Sequence, residues 1–159
     1  MKAGLLIGLL LICSPVYGQS GVLVSKSPLL NVRTSEELGR WMKAYLVYQA
    51  ELNNEDVWKT PEQTITDGGG DCEDLAILAQ RVLSDLQIDS QLIYVGLPTM
   101  GHMLCFYRTS VGRLNFFDNT SFVQTNFVTV REVLDVWYPS WLRAANTTTQ
   151  KVYSNWTFK

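Results

Sequence analysis

Apolar positions recur with helical spacing in three stretches of the chain and crowd into β-type runs in a fourth. Leu38, Trp41, Met42, Tyr45 and Gln49 fall on one mostly apolar face, and Thr34 with Glu37 three residues on forms a capping-box signal ahead of them. The spacing predicts a helix from Ser35 that runs to the polar segment Asn53-Asn54-Glu55-Asp56, with Trp41 as a core residue. Val57 to Gln63 then reads as a turn-rich connection leading to Gly68-Gly69-Gly70. Cys72, Leu75, Ala76, Ala79, Val82, Leu83 and Leu86 share the face of a second helix, for which Asp71 is a good N-cap. Thr129 and Glu132 form another capping-box signal, opening a short helix through Val130, Val133, Leu134 and Trp137 that Pro139 stops.

Between the last two helices the pattern changes. Gln91 to Leu97, Gly101 to Arg108 and Arg113 to Asp118 are rich in β-branched and aromatic residues, with Val111-Gly112 at a turn, and predict an antiparallel meander. Beyond Ala145 the chain is polar with isolated aromatics, Tyr153, Trp156 and Phe158, which allow one last strand. No internal repeat or low-complexity stretch interrupts this order.

Composition narrows the class. Of 159 residues, 47% are hydrophobic and 18% charged, a balance that suits one folded domain. A formal net charge of −2 provides no basic field for a phosphate backbone, so no nucleic-acid partner is expected. Lys2 followed by the apolar stretch Ala3 to Cys13 reads as a signal peptide spanning 1–18, with the mature domain at 19–159. The apolar run is broken at Ser14-Pro15 and falls short of the roughly 20 residues a membrane span needs, so no stable membrane insertion is expected after removal of the leader.

The chemistry-bearing residues lie around the glycines. Three consecutive glycines permit conformations and close approaches that other residues forbid, and they lead directly into Asp71-Cys72 at a helix start. A thiol at that position gains thiolate character from the helix terminus, and the unpaired first-turn N–H groups could receive an oxyanion. The chain has a single histidine, His102, 30 residues after Cys72, which makes it the one imidazole able to serve as base. On its strand His102 shares a face with Leu104 and Phe106, whereas Cys105 points the other way and reads as a small core residue. Folding the next hairpin about Val111-Gly112 brings Asp118 near His102, with Asn119 as the fallback orienting group. The competing reading is structural: with the leader gone, Cys72 and Cys105 remain and could pair as a disulfide.

Trp58-Lys59-Thr60-Pro61-Glu62 followed by Gly68-Gly69-Gly70-Asp71-Cys72-Glu73-Asp74-Leu75-Ala76 resembles the signature of the bacterial transglutaminase-like cysteine proteinases, over about residues 35 to 123. The resemblance implies an α+β fold of papain-like or transglutaminase-like type, with N-terminal helices and the cysteine helix packed on an antiparallel sheet. It implies Cys72 as nucleophile, His102 as base and Asp118 as orienting residue, in a monomeric hydrolase acting on a protein or peptide in the bacterial periplasm or outside the cell. No cofactor is required by this chemistry, but the family includes members that use calcium, which carried over would rest on Asp71 and Glu73, with Asp74 as a further ligand. Trp58 is a cleft or oxyanion candidate and Gln63 a second one. Transamidation by the same residues, or a non-catalytic module that binds calcium or protein on the same fold, are the alternatives.

Overall fold

The computed structural model describes residues 29–51, 57–148 and 151–154; the leader and the segment Asn53 to Asp56 lie outside them. A short 3₁₀ turn, Leu29–Asn31, precedes helix α1, Ser35–Tyr45. Thr34 caps α1 by accepting the Glu37 N–H, while the Glu37 carboxylate reaches one residue further back than a capping box would, to the Arg33 N–H at 2.7 Å. Leu38, Trp41 and Met42 are buried as the periodicity requires.

The expected continuation of α1 through Gln49 is corrected. The helix ends at Tyr45, which is exposed, and Val47–Tyr48 forms a short strand β1 that pairs in parallel with β2, Gly69–Gly70. Tertiary pairing overrides the apolar spacing here. The Val47 N–H donates to the Gly68 carbonyl at 3.0 Å and the Gln49 N–H to the Gly70 carbonyl at 2.8 Å. The connection after Val57 is also more ordered than its turn-rich composition suggests: Pro61–Thr66 is helix α2, with Pro61 in its first turn and Thr60 and Gln63 in a reciprocal capping box.

Helix α3, Cys72–Asp85, lies on a six-stranded antiparallel sheet. Its strands are β3 Ser90–Gly96, β4 Gly101–Arg108, β5 Leu114–Asp118, β6 Ser121–Val123, β7 Arg143–Asn146 and β8 Lys151–Ser154, and they run in the order β6-β5-β4-β3-β7-β8. The meander is thus present as expected, widened by β6 on one side and by β7 and β8 on the other. Helix α4, Val130–Trp137, carries the reciprocal capping box of Thr129 and Glu132.

Strand alternation sorts the core into two layers. Met103, Cys105, Tyr107 and Phe117 turn toward α1 and α3, while Leu104, Phe106 and Phe116 turn toward α4 and the buried Trp141. Cys105 is fully buried, and both it and Cys72 are free thiols, so no disulfide joins them.

Two of the three glycines have distinct reasons to be glycine. Gly68 has φ of 71° with open space around its missing side chain, whereas at Gly69, with φ of 153°, a Cβ would fall 2.0 Å from the Val47 carbonyl oxygen. Gly68→Ala should therefore cost only left-handed strain, about 1–2 kcal/mol. Gly69→Ala must in addition break the β1–β2 pairing and should cost clearly more, as read from urea unfolding of the two variants side by side.

Candidate functional site

The site is assembled at the start of α3 and the facing ends of β4 and β5. Asp71 and Asp74 close a reciprocal capping box: the Asp74 N–H donates to Asp71 Oδ1 and the Asp71 N–H to Asp74 Oδ2, both at 3.4 Å. The other Asp74 oxygen accepts the Lys59 N–H at 2.7 Å, so one buried carboxylate ties the segment before α2 to the first turn of α3. Lys59 Nζ completes the tie by donating to the Gly69 carbonyl at 3.2 Å and pairing with Asp67 at 3.2 Å.

Cys72 is half-buried at the first position of α3. Its thiol donates to Glu73 Oε2 at 2.9 Å, and the backbone N–H of Met103, the residue after His102, lies near enough to favour the charged sulfur. This thiol's pKa is raised, not lowered as the sequence suggests. Burial, and then the Glu73 carboxylate that holds the proton, push it up to about 12, against a smaller lowering by the Met103 N–H. The residues that cap α3 are acids, and their charge opposes formation of a thiolate.

His102 and Asp118 are in direct contact, His102 Nε2 to Asp118 Oδ1 at 2.9 Å. Leu104 is the residue paired across the ladder from Asp118, so the His102–Asp118 contact is the diagonal one on the same face of the sheet. Nε2 is thereby engaged, which leaves Nδ1 for a second partner. Asp118 Oδ2 accepts a further hydrogen bond, from the hydroxyl of Tyr138 at 2.7 Å, and the Tyr138 ring lies against the imidazole with centroids 5.6 Å apart. Burial alone would raise the Asp118 pKa; the hydrogen bonds from His102 and Tyr138 outweigh it and hold the carboxyl below its usual value.

The structure thus joins His102 to Asp118 directly and brings Cys72 near the adjoining residue of the same strand, Met103; the sulfur's hydrogen-bond partner is Glu73. Asn119 sits at the β5–β6 turn with φ of 50° and is not the partner of the ring. Trp58 is 53% exposed on the segment that Asp74 holds. Gln63 has its Oε1 engaged with the Thr60 N–H. Tyr138 is the member of the cluster that the sequence did not reveal. It follows a helix and carries no motif of its own, and only its position next to Pro139 marks the place.

Among the described residues no three His, Cys, Asp or Glu side chains converge on a point that could hold a metal ion. Asp74 has both oxygens occupied by backbone N–H groups, so Asp71 and Glu73 are the acids left over. Asp71 is pushed up to about 6, first by burial and then by Glu73, with Asp74 and Glu51 adding to it.

This architecture recurs in solved structures. Legionella pneumophila LapG in its calcium-bound form is 19% identical and aligns over 77% of this chain and 69% of its own, with a TM-score of 0.50. The EGTA-treated form and a further LapG structure, both 19% identical, give TM-scores of 0.51 and 0.52 over 76% of this chain and 70% and 67% of theirs. The fold is transglutaminase-like. No protein-family model matches the chain, and neither does any curated protein. On the transglutaminase-like fold the cysteine helix packs against the antiparallel sheet, as the signature around Cys72 implies.

Asp71 yields a prediction with a definite sign. Its carboxyl holds a proton more tightly in the folded chain than in the unfolded one, so its contribution to stability is full below pH 4 and falls as the pH rises from about 4 to about 6. Asp71→Asn keeps the acceptor for the Asp74 N–H and removes the charge. The variant should gain stability relative to wild type across that window and hold the gain above it, measured by urea unfolding between pH 4 and 7.

Proposed function

We propose that the chain is an exported cysteine hydrolase that cleaves a peptide or isopeptide bond, with Cys72 as nucleophile, His102 as base and Asp118 as the residue that orients the imidazole. The observation that carries this reading is the hydrogen bond between His102 Nε2 and Asp118, with the next residue of the His102 strand, Met103, near the Cys72 sulfur. The transglutaminase-like fold, which LapG shares, supports it.

With Nε2 committed to Asp118, Nδ1 is the atom that takes the thiol proton. The raised pKa of Cys72 means that the resting group is the thiol, so the proton leaves sulfur as sulfur attacks the carbonyl carbon. The C–N bond then breaks, the imidazolium returns the proton to the departing amine, and a thioester remains on Cys72. Water, deprotonated by His102, attacks the thioester and releases the acid and the thiol. Asp71 accepts the N–H groups of Asp74 and Leu75, and this cap does not draw on the N–H groups of Cys72 and Glu73, which are suited to the oxyanion. Trp58 is the cleft residue of this reading, and Gln63, tied into the cap of α2, is the weaker candidate.

Calcium fits the chemistry of Asp71 and Glu73, hard oxygen donors whose mutual repulsion a cation offsets, though two carboxylates fall short of the roughly six to eight oxygens it takes. Bound there it would supply positive charge beside the sulfur. LapG has been solved calcium-bound and after EGTA treatment, and in this chain Asp71 and Glu73 are the residues that would hold the ion.

Export rests on Lys2 and the apolar stretch Ala3 to Cys13, with cleavage after Gly18 and the product periplasmic or secreted. Among the described residues no helix is long and apolar enough to cross a membrane.

Iodoacetamide tests the core of the proposal. Cys72 should be alkylated selectively, with Cys105 protected by burial, and His102→Ala should slow the reaction by about tenfold or more; equal rates in the two proteins would defeat it. Incubation with a glutamine peptide and a labelled amine separates hydrolysis, the expected outcome, from transamidation. Titration with calcium should raise the melting temperature of wild type and leave that of Asp71→Asn unmoved.

A further inference from the structure

We infer that Tyr138 is a positioning residue of this site, fixing the Asp118 carboxylate and covering the imidazole so that His102 keeps Nδ1 toward the sulfur. The inference rests on the reading of Cys72 and His102 given above and adds a fourth side chain to it.

The two oxygens of Asp118 are divided between two donors. Oδ1 takes His102 and Oδ2 takes the Tyr138 hydroxyl. A carboxylate held by a single hydrogen bond can still rotate about its χ torsions; held from both oxygens, it presents one fixed acceptor to the ring. Tyr138 also places its ring against the imidazole, at 5.6 Å between centroids and tilted by 45°. The hydroxyl and the ring therefore act on different members of the cluster, the first on Asp118 and the second on His102.

Tyr138 is itself held in place. Its N–H closes the end of α4 on the Leu134 carbonyl at 2.8 Å, and its own carbonyl accepts the Trp141 N–H at 2.8 Å. Trp141 is buried in the layer between the sheet and α4, donates from its indole to Asp135 at 2.8 Å and lies under the Arg131 guanidinium. Leu134 is buried in the same layer. A residue pinned on both sides by the core loses little further freedom on making its hydrogen bond, which suits a positioning role. Burial and the Asp118 charge raise the phenol's own pKa far above its ordinary value, so the hydroxyl remains a donor throughout the working range of an imidazole.

Removing the hydroxyl has a signed consequence. Asp118 loses one of the donors that share its charge, which raises its own pKa and strengthens its hold on the protonated ring. The test is the pH dependence of Cys72 alkylation by iodoacetamide in the full chain. In Tyr138→Phe the acid limb should move upward by about half a pH unit, and in an Asp118→Asn background the same substitution should leave the limb where it is. Limbs of wild type and Tyr138→Phe that superimpose overturn the inference.

A measurement on the unaltered protein guards against a variant that fails to fold. With ¹³C-labelled tyrosine, the Cζ resonance of Tyr138 should stay that of a phenol at about pH 10 to 11, where exposed tyrosines ionise; ionisation alongside them overturns the inference. Wild-type alkylation indifferent to His102→Ala would defeat the hydrolase reading instead, and the Cζ titration does not depend on that result.

Discussion

The arrangement depends on the buried carboxylate of Asp74. A charged oxygen pair with almost no exposure is costly unless donors meet it, and here they are the backbone N–H groups of Asp71 and Lys59. The glycine segment must pass close enough for this to happen: a Cβ on Gly70 would fall 2.4 Å from Asp74 Oδ2, and one on Gly69 would strike Val47. Capping of α3, the glycine run and the β1–β2 pairing are therefore one constraint seen from three sides, and together they set where α3 begins and where its first side chain, Cys72, projects.

Electrostatics at that point work against a thiolate. A helix terminus favours an anion on the first residue, yet the same turn contains Asp71, Glu73 and Asp74, and the thiol proton is held by Glu73. Burial, and then the local negative charge, raise the thiol's pKa. If Cys72 is the nucleophile proposed, a proton acceptor close to the sulfur is needed rather than merely helpful, and the chain's single histidine lies on the strand whose next residue, Met103, is near Cys72.

Much of this was legible in the residues, and the omissions have physical reasons. Helices α3 and α4 announce themselves because one face of each is buried, so period and burial agree, whereas strands β4 and β5 are buried on both faces and show, with β3, as runs rich in β-branched and aromatic residues. The contact of His102 with Asp118 follows from turn position and strand alternation. The end of α1 is not legible because Tyr45 and Gln49 continue the helical spacing that the β1–β2 hydrogen bonds interrupt, and no local pattern reports a pairing with residues 22 positions away, as between Val47 and Gly69. Helix α2 did carry a signal, Thr60-Pro61 with Gln63, but six residues are too few to show an apolar period. The raised pKa of Cys72 depends on where Glu73 turns its carboxylate, and the role of Tyr138 on where α4 ends in space; neither is a property of sequence spacing.

The contribution of Tyr138 also has a bearing on the order in which the chain is made. Cys72 leaves the ribosome 66 residues ahead of Tyr138, and the sheet strand carrying Asp118 precedes Tyr138 by 20. The His102 and Asp118 side chains therefore leave the ribosome before the carboxylate's second anchor does. The second anchor arrives only when the end of α4 docks, so a product that stops short of Tyr138 leaves the Asp118 carboxylate tethered from one side.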